Sequence, residues 1–390
     1  MTAIRDMFSK NLRQSGIVLA FVAIVLIFAL LTEGKLLDPG NISNLVLQFS
    51  YILILAIGML FVIVVGHIDL SVGSVVALVG AVSATLVIKN GLPWWMGVLA
   101  GILTGLAIGA WHGLWVAYVG IPGFIVTLSG MLLFRGMTYQ VLNSVSLSPM
   151  PADYQRIASG FLNGLFGGYG YDAFTLVIGV VAVAGFAFSQ WQARAAKIRY
   201  EQEVESMPLF IIKLVVVAAV IMYFAWKLST ARGFPIVLFI LAFLILAYSF
   251  ISKSTIYGRH VYAIGGNLNA ALLSGVKVKR TIFWVYVHMG LLAGIAGVVF
   301  SSRSNGAQPG AGNMFELDAI AACFIGGAAV TGGVGTVAGA MIGGLVMAVM
   351  SNGMQLMGVP TPIQQIVKGL VLLLAVAFDV WNKRRAAVAK

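Results

Sequence analysis

Two ionisable side chains lie close together in an apolar stretch, residues 66–78, GHIDLSVGSVVAL. His67 and Asp69 are followed there by Ser71. A charge in hydrocarbon costs at least about 2.5–3.5 kcal/mol, so an intramembrane carboxylate needs a compensating role. Asp69 or Ser71 could cap the start of a following helix, or the polar group could line or gate a path across a membrane. His67 could titrate near neutral pH, although a lone histidine is more often a hydrogen-bonded structural residue.

A second carboxylate, Asp318, lies at the start of a similar Gly- and Ala-rich segment, residues 316–327, and could mirror Asp69. The chain contains no phosphate-binding G-x-x-x-x-G-K-[ST] motif, no H-E-x-x-H motif and no carboxylate pair at catalytic spacing. Its single cysteine, Cys323, excludes a metal site built from cysteines. We therefore expect no catalytic residue, no metal site and no cofactor bound by this chain.

The elements that must position these residues are membrane helices. Of the 390 residues, 60% are hydrophobic and 9% are charged, whereas soluble proteins carry about 25% charged residues. A membrane span needs about 20 apolar residues, so this length allows roughly ten to twelve spans. We predict an all-α, polytopic membrane helix bundle that forms one transmembrane domain over residues 1–390. The predicted spans are 17–32, 44–65, 70–88, 94–118, 123–142, 173–192, 209–228, 235–252, 282–301, 316–331, 335–351 and 362–381.

The basic residues predict how the bundle is oriented. The formal net charge is +12, and fifteen of the 24 Lys and Arg residues fall in inside segments when the N-terminus is placed inside. Cytoplasmic segments of membrane proteins are enriched in Lys and Arg, so the positive charge is explained by the membrane topology and does not indicate a nucleic-acid site. Both termini are predicted to be cytoplasmic, with the first apolar run interpreted as a retained span. Residues 145–172 are predicted to form an outside, periplasmic loop that is long enough for a docking surface or an amphipathic segment. Residues 253–281 are predicted to form an inside, cytoplasmic loop.

Two segments, residues 112–134 and 352–374, are weakly similar. His112 aligns with Asn352 and Pro122 with Pro362, and glycines recur at every fourth position before each segment. The two copies run in opposite directions in the predicted topology. Inverted repeats are common in transporters, with the substrate path at the repeat interface. Chance similarity between two apolar segments is the alternative interpretation.

The inside loop contains NAALLSG, residues 269–275. Two alanines would let a short helix fit closely against a partner, and Gly275 could end that helix in the left-handed conformation. The pattern resembles the E-A-A-x-x-x-G signature with which permease subunits of bacterial ABC importers dock into their ATPase. Asn269 stands where that signature has glutamate, so the resemblance implies no salt bridge there. The predicted coupling residues are Gly265, Gly266, Asn267, Asn269, Ala270, Ala271 and Gly275.

Four longer segments, residues 66–78, 123–136, 258–281 and 316–340, resemble the permeases of the ribose, xylose, arabinose and galactose class, most of all xylose or multiple-sugar permeases. The resemblance implies the permease architecture of type II ABC importers in a bacterial inner membrane, surrounded by lipid. It implies a homodimer of permeases, two ATPase subunits that bind ATP–Mg, and a periplasmic sugar-binding protein. The implied function is the pore subunit of an ATP-driven importer for a monosaccharide, xylose or another pentose or hexose.

A neutral sugar requires hydrogen-bonding groups and aromatic faces along its path. The candidates for the gate or the translocation path are His67, Asp69, Ser71, Trp111, Trp115, Phe124, Thr127, Asp318, Asn352, Gln355 and Gln364. Membrane Trp is often an interfacial anchor, and Asn or Gln often ties helices together, so each residue keeps a structural alternative. The alternative substrates are nucleosides or branched-chain amino acids. The alternative mechanism is an ion-coupled transporter that uses His67, Asp69 and Asp318.

Overall fold

The computed structural model describes residues 12–388. The predicted inside position of the N-terminus falls on residues 1–11 and so lies outside the described residues. The first helices are α1 (Leu12–Leu31), α2 (Pro39–Val64), α3 (Val72–Ala84), α4 (Trp94–Gly113), α5 (Gly123–Leu142) and α6 (Ala152–Ser159). Helices α3 and α4 continue as π-helical turns to Lys89 and Val119.

The second half adds nine helices and a short β pair to the described chain. Helices α7 (Ala173–Arg199), α8 (Met207–Ser229) and α9 (Ile236–Ser254) are accompanied by strands β1 (Phe161–Leu162) and β2 (Phe234–Pro235). Two short helices, α10 (Ile256–Gly266) and α11 (Leu268–Leu273), precede α12 (Val278–Arg303). The last helices are α13 (Phe315–Ile325), α14 (Val337–Leu356) and α15 (Thr361–Val388).

The all-α, polytopic prediction is confirmed. Within residues 12–388, nine helices are long and apolar enough to cross a membrane, and α1 and α15 contain shorter apolar stretches. The predicted span 316–331 is wrong as a continuous helix, because α13 ends at Ile325 and residues 326–336 form a glycine-rich loop. At 1.5 Å per residue α13 is only about 16 Å long, roughly half the hydrocarbon thickness.

Helix α2 forms the centre of the bundle and is buried without interruption from Ile52 to Val64. An α-helix that is apolar on all sides is stable only when it is enclosed, and α2 packs against α12, α13 and α14. Small residues bring the helices close together. A Cβ atom added to Gly105 of α4 would lie 2.4 Å from the carbonyl oxygen of Gly290 in α12. Helices α7 and α8 pack mainly on each other, at the edge of the bundle.

The loops form two groups, at opposite ends of the long helices. In one group, Leu147 pairs with Ala307, and β1 pairs antiparallel with β2. The predicted outside loop 145–172 contains the amphipathic helix α6, whose Tyr154 hydroxyl lies 2.8 Å from the Ser301 hydroxyl at the end of α12. The other group joins the end of α2 to loop 326–336. These pairings group the loops by the end of the bundle, and the side of the membrane that each end faces stays a prediction.

Candidate functional site

The chain breaks between α2 and α3, and Asp69 lies in this break. Asp69 and Ser71 are both buried. The Asp69 carboxylate accepts hydrogen bonds from the Ser71 backbone N–H at 2.8 Å and from the Ser71 hydroxyl at 2.6 Å. Ser71 is the residue that precedes α3, so Asp69 fixes the backbone where this helix begins. These bonds form a local turn before α3, whereas the Ser71 side chain makes no capping hydrogen bond to the helix, so the capping interpretation is wrong for Ser71.

His67 and Thr127 lie at the same break. The Tyr286 hydroxyl lies 3.3 Å from His67 Nδ1, and the Thr127 hydroxyl donates to the carbonyl of Ile68 at 3.3 Å. Four predicted gate residues are therefore brought together where α2, α3, α5 and α12 meet. Tyr286 was missed from sequence, because it lies in an ordinary apolar span more than 200 residues away from His67.

The aromatic candidates are only partly brought together. Trp111 packs edge-on against Phe134 and Trp115 and lies beside His112. Trp115 and Phe124 are exposed on the surface of the chain. Asn352 is buried and exchanges two hydrogen bonds with Asn41 of α2, at 2.8 and 3.0 Å. This pairing is the helix-tying arrangement expected for membrane asparagines.

A second group of candidates surrounds a cavity of about 510 Å³ between α2, α13, α14 and α15. Asp318 lies on its wall and forms an ion pair with Lys368, whose Nζ is 3.0 Å from both carboxylate oxygens. The polar side chains on the wall are Gln48, Asn313, Asp318, Ser351, Gln355, Thr361, Gln364, Gln365 and Lys368. The cavity also has an aromatic wall, in which Tyr51 and Phe315 stack with ring centroids 4.8 Å apart.

Two amides of the cavity are partly engaged with protein groups. Gln48 donates to Gln355 at 3.0 Å, and Gln364 donates to the carbonyl of Val359 at 2.8 Å. Most of the polar wall, including Gln48, Ser351 and Lys368, was not predicted. The spacing of α15 could have identified Lys368, because it follows Gln364 by four residues and so lies on the same helix face.

The predicted coupling residues form an exposed helix outside the spans. The Asn267 side chain caps α11 by accepting a hydrogen bond from the Ala270 N–H at 3.0 Å. Gly275 follows α11 with a φ of +79°, the left-handed conformation predicted from sequence. Asn269 and Ala270 are exposed, whereas Ala271 is buried. Leu273, which was not predicted, is 91% exposed.

The segment before α11 anchors it to the bundle. A Cβ atom at Gly265 would lie 1.6 Å from the carbonyl oxygen of Val64, the last residue of α2, so only glycine permits this approach. That carbonyl also accepts a hydrogen bond from the Gly333 N–H at 2.8 Å, and the Tyr262 hydroxyl donates to the carbonyl of Gly335. A force on α11 would therefore be transmitted to the end of α2 and to the loop before α14.

Comparison with known proteins identifies relatives along nearly the whole chain. Residues 41–376 match the family described as branched-chain amino acid transport system, permease component. The xylose transport system permease protein XylH of Escherichia coli is 41% identical over 97% of this chain and 94% of its own length. XylH of Haemophilus influenzae is also 41% identical, over 97% and 98% of the two chains. The ribose import permease protein RbsC of Escherichia coli is 34% identical over 98% of each chain. No solved structure matches the chain significantly.

Proposed function

This chain belongs to the permease family described for branched-chain amino acid transport systems, and we propose that it is the membrane-spanning pore subunit of an ATP-driven monosaccharide importer. Its named relatives are transport permeases, and this chain is likewise a transport subunit and not an enzyme. The observation that carries the proposal is the 41% identity to a xylose permease over 97% of the chain. The proposed substrate is xylose or another pentose or hexose.

The family description names branched-chain amino acids, which are the alternative substrate. The relatives compared above, by contrast, are named as xylose and ribose permeases, and a further relative is named as an L-arabinose permease. The cavity beside Asp318 also favours a neutral polyol, because its wall combines hydrogen-bonding groups with aromatic rings. Sugar is therefore the substrate that the chain supports best.

Permeases of ABC importers work with an ATPase and a binding protein. For this chain we propose two permease copies, two ATPase subunits that bind ATP–Mg, and a periplasmic sugar-binding protein. The chain itself would bind no cofactor. The exposed helix α11 supports the ATPase contact, since Leu268, Leu272 and Leu273 are all exposed on this one segment outside the spans and a partner would cover them.

The chain is a membrane protein, and its proposed location is a bacterial inner membrane. We propose that α10 and α11 face the cytoplasm, together with both chain termini. The support is the concentration of Lys and Arg in residues 253–281 and near the C-terminus. Loop 145–172 would then face the periplasm and the binding protein.

Purification tests this assembly. The chain is extracted in a mild detergent from its native membrane, and the proteins that accompany it are identified and counted by mass spectrometry. We expect an ATPase with a phosphate-binding loop in equal copy number. A chain that comes alone and moves solute in liposomes under an ion gradient without ATP would contradict the proposal.

A further inference from the structure

We propose that the cavity between α2, α13, α14 and α15 is a monosaccharide-binding site within the permease itself, with Asp318, Ser351 and Gln355 among its hydrogen-bonding groups. The inference rests on the proposed function and assigns a place to its substrate. The volume of about 510 Å³ lies within the range of roughly 300–1,000 Å³ that is typical of small-molecule sites. A pentose or hexose would fit with room for water.

Ser351 gives the first reason to expect a ligand. Its hydroxyl is buried and has no hydrogen-bond partner among the described residues, yet it lies on the cavity wall. Buried polar groups are nearly always paired, so an unpaired one calls for an explanation. The next residue along α14, Asn352, differs from Ser351 in this respect, because its side chain both donates a hydrogen bond to Asn41 and accepts one from it. The hydroxyl is closed off from solvent in this structure, and a rotation of the Ser351 side chain toward the cavity would let a sugar hydroxyl supply the partner that it lacks.

The ion pair gives the second reason. Lys368 uses one ammonium group to contact both oxygens of Asp318, and each oxygen keeps a lone pair that can accept another hydrogen bond. The pair therefore offers donors and acceptors side by side while its charges cancel. A polyol, whose hydroxyls both donate and accept, can bind there without separating the pair. An anionic group of a ligand would have to displace Asp318 from Lys368, and a cationic group would have to displace Lys368 from Asp318. The wall therefore favours a neutral ligand.

The aromatic wall gives the third reason. Tyr51 and Phe315 stack at an interplanar angle of 30°, and both residues line the cavity. Aromatic faces carry partial negative charge, which attracts the C–H groups on one face of a sugar ring. The polar groups and the rings together match the two kinds of surface that a monosaccharide presents.

A blocking substitution tests the site without removing any packing. Gly369 lies on the α15 face that lines the cavity, and a Cβ atom added there meets nothing within 4 Å. Gly369→Leu would place a bulky side chain at the cavity wall and narrow the cavity, and leucine is also the better helix former. Gly185→Leu in α7 is the matched control, because its added Cβ also meets nothing within 4 Å and it lies away from the cavity.

The complex of permease, ATPase and binding protein is reconstituted in liposomes, and ATP-driven uptake of radiolabelled D-xylose is measured. We expect Gly369→Leu to lose most of the uptake and Gly185→Leu to keep it, with both variants folded. Uptake by folded Gly369→Leu at the wild-type rate would overturn the binding site and leave the proposed function intact. No ATP-driven uptake by the wild-type complex would overturn the proposed function itself.

A pair of serine variants tests the hydrogen-bonding role. Ser351→Ala should slow D-xylose uptake by roughly two- to tenfold, the effect of one lost hydrogen bond. Ser74→Ala is the control, since the Ser74 hydroxyl is also buried and unpaired among the described residues but is not part of the cavity wall. Equal uptake by the two serine variants would contradict the role of Ser351. Competition by unlabelled leucine, but not by unlabelled D-ribose, would contradict the ligand class.

Discussion

Asp69 shows how an acidic side chain is tolerated in an apolar stretch. Burial removes the water that would stabilise the carboxylate, and two hydrogen bonds from Ser71 replace part of that hydration. Hydrogen bonds to a charged acceptor are roughly twice as strong as neutral ones. Asp69 therefore determines where α3 begins, and its role at a gate stays a prediction.

Two substitutions at Asp69 separate its structural role from its transport role. Asp69→Asn keeps the shape and one acceptor oxygen, so we expect a folded protein with reduced transport. Asp69→Ala leaves the N–H and hydroxyl of Ser71 without this acceptor, which should lower the free energy of unfolding by about 1–3 kcal/mol. Thermal unfolding in detergent and uptake in liposomes measure the two effects.

The control for this pair is Asp153→Asn, because Asp153 is largely exposed and only forms a surface ion pair with Arg156. It should change neither readout. If Asp69→Asn loses as much folded protein as Asp69→Ala does, the charge is required for the fold and the transport role is unsupported.

At the scale of elements, α11 is a short helix defined by its ends. Asn267 caps its start and Gly275 follows its end in the left-handed conformation. Six residues form no stable helix in isolation. The cap, the glycine and the contacts of α10 with α2 therefore hold in place a helix that presents Leu273 outward.

Substitutions in this element should act on the ATPase contact. We expect Leu273→Asp to detach or uncouple the ATPase, because a charge would replace an apolar contact, while the membrane part stays folded. Gly275→Asp should act in the same direction, since an aspartate at positive φ strains the end of α11. Copurification of the ATPase and sugar-stimulated ATP hydrolysis measure the loss.

The matched control is Leu165→Asp, an exposed leucine in loop 145–172. It should leave ATPase copurification unchanged, because it lies in the loop group at the opposite end of the bundle. Normal sugar-stimulated ATP hydrolysis in both Leu273→Asp and Gly275→Asp would show that α11 does not dock the ATPase.

A second element-scale feature is the start of α7, where Asp172 joins the helix to loop 145–172. Its carboxylate accepts hydrogen bonds from the N–H and hydroxyl of Thr175 and from the N–H of Gly164. Burial alone would raise the pKa of Asp172, but these hydrogen bonds outweigh it and hold the pKa below its usual value.

The lowered pKa of Asp172 predicts an acid-sensitive contact. Its stabilising effect is complete above the unfolded pKa of about 3.9 and is lost as the pH falls through the lower folded pKa. In the wild type we expect the protection of residues 164–175 against hydrogen exchange, measured relative to the intrinsic rate at each pH, to fall in that acidic window. In Asp172→Asn this protection should already be lower at neutral pH and should show no such fall. Wild-type protection of residues 164–175 that does not change in acid would contradict the role assigned to the Asp172 hydrogen bonds.

At the scale of the whole molecule, the composition of the chain and the length of its apolar runs were enough to predict the fold class and most spans. Within residues 12–388, long apolar runs predicted the nine helices that are long and apolar enough to cross a membrane, and the motif around Ala270 and Gly275 predicted a short exposed helix. The failure at 316–331 has a physical reason. The glycine-rich residues that end α13 are apolar by composition, so hydropathy alone could not separate this loop from a span.

The candidate site was only partly predictable. Asp318, Gln355 and Gln364 were identified by residue type, but their common cavity depends on how α13, α14 and α15 pack. Ser351 gave no signal in the sequence, because an unpaired hydroxyl is recognised only from its neighbours. Asn352 was a candidate for the path with helix tying as its alternative, and its contacts with Asn41 tie α14 to α2.

The central claim is that this chain is the pore of an ATP-driven sugar importer. The most direct test is uptake of radiolabelled D-xylose into liposomes that contain the purified permease with its ATPase, with sugar-loaded binding protein outside the liposomes. The claim predicts uptake that requires ATP, Mg²⁺ and the binding protein and that persists when ion gradients are collapsed. Uptake that continues without ATP and follows a proton or sodium gradient would contradict it.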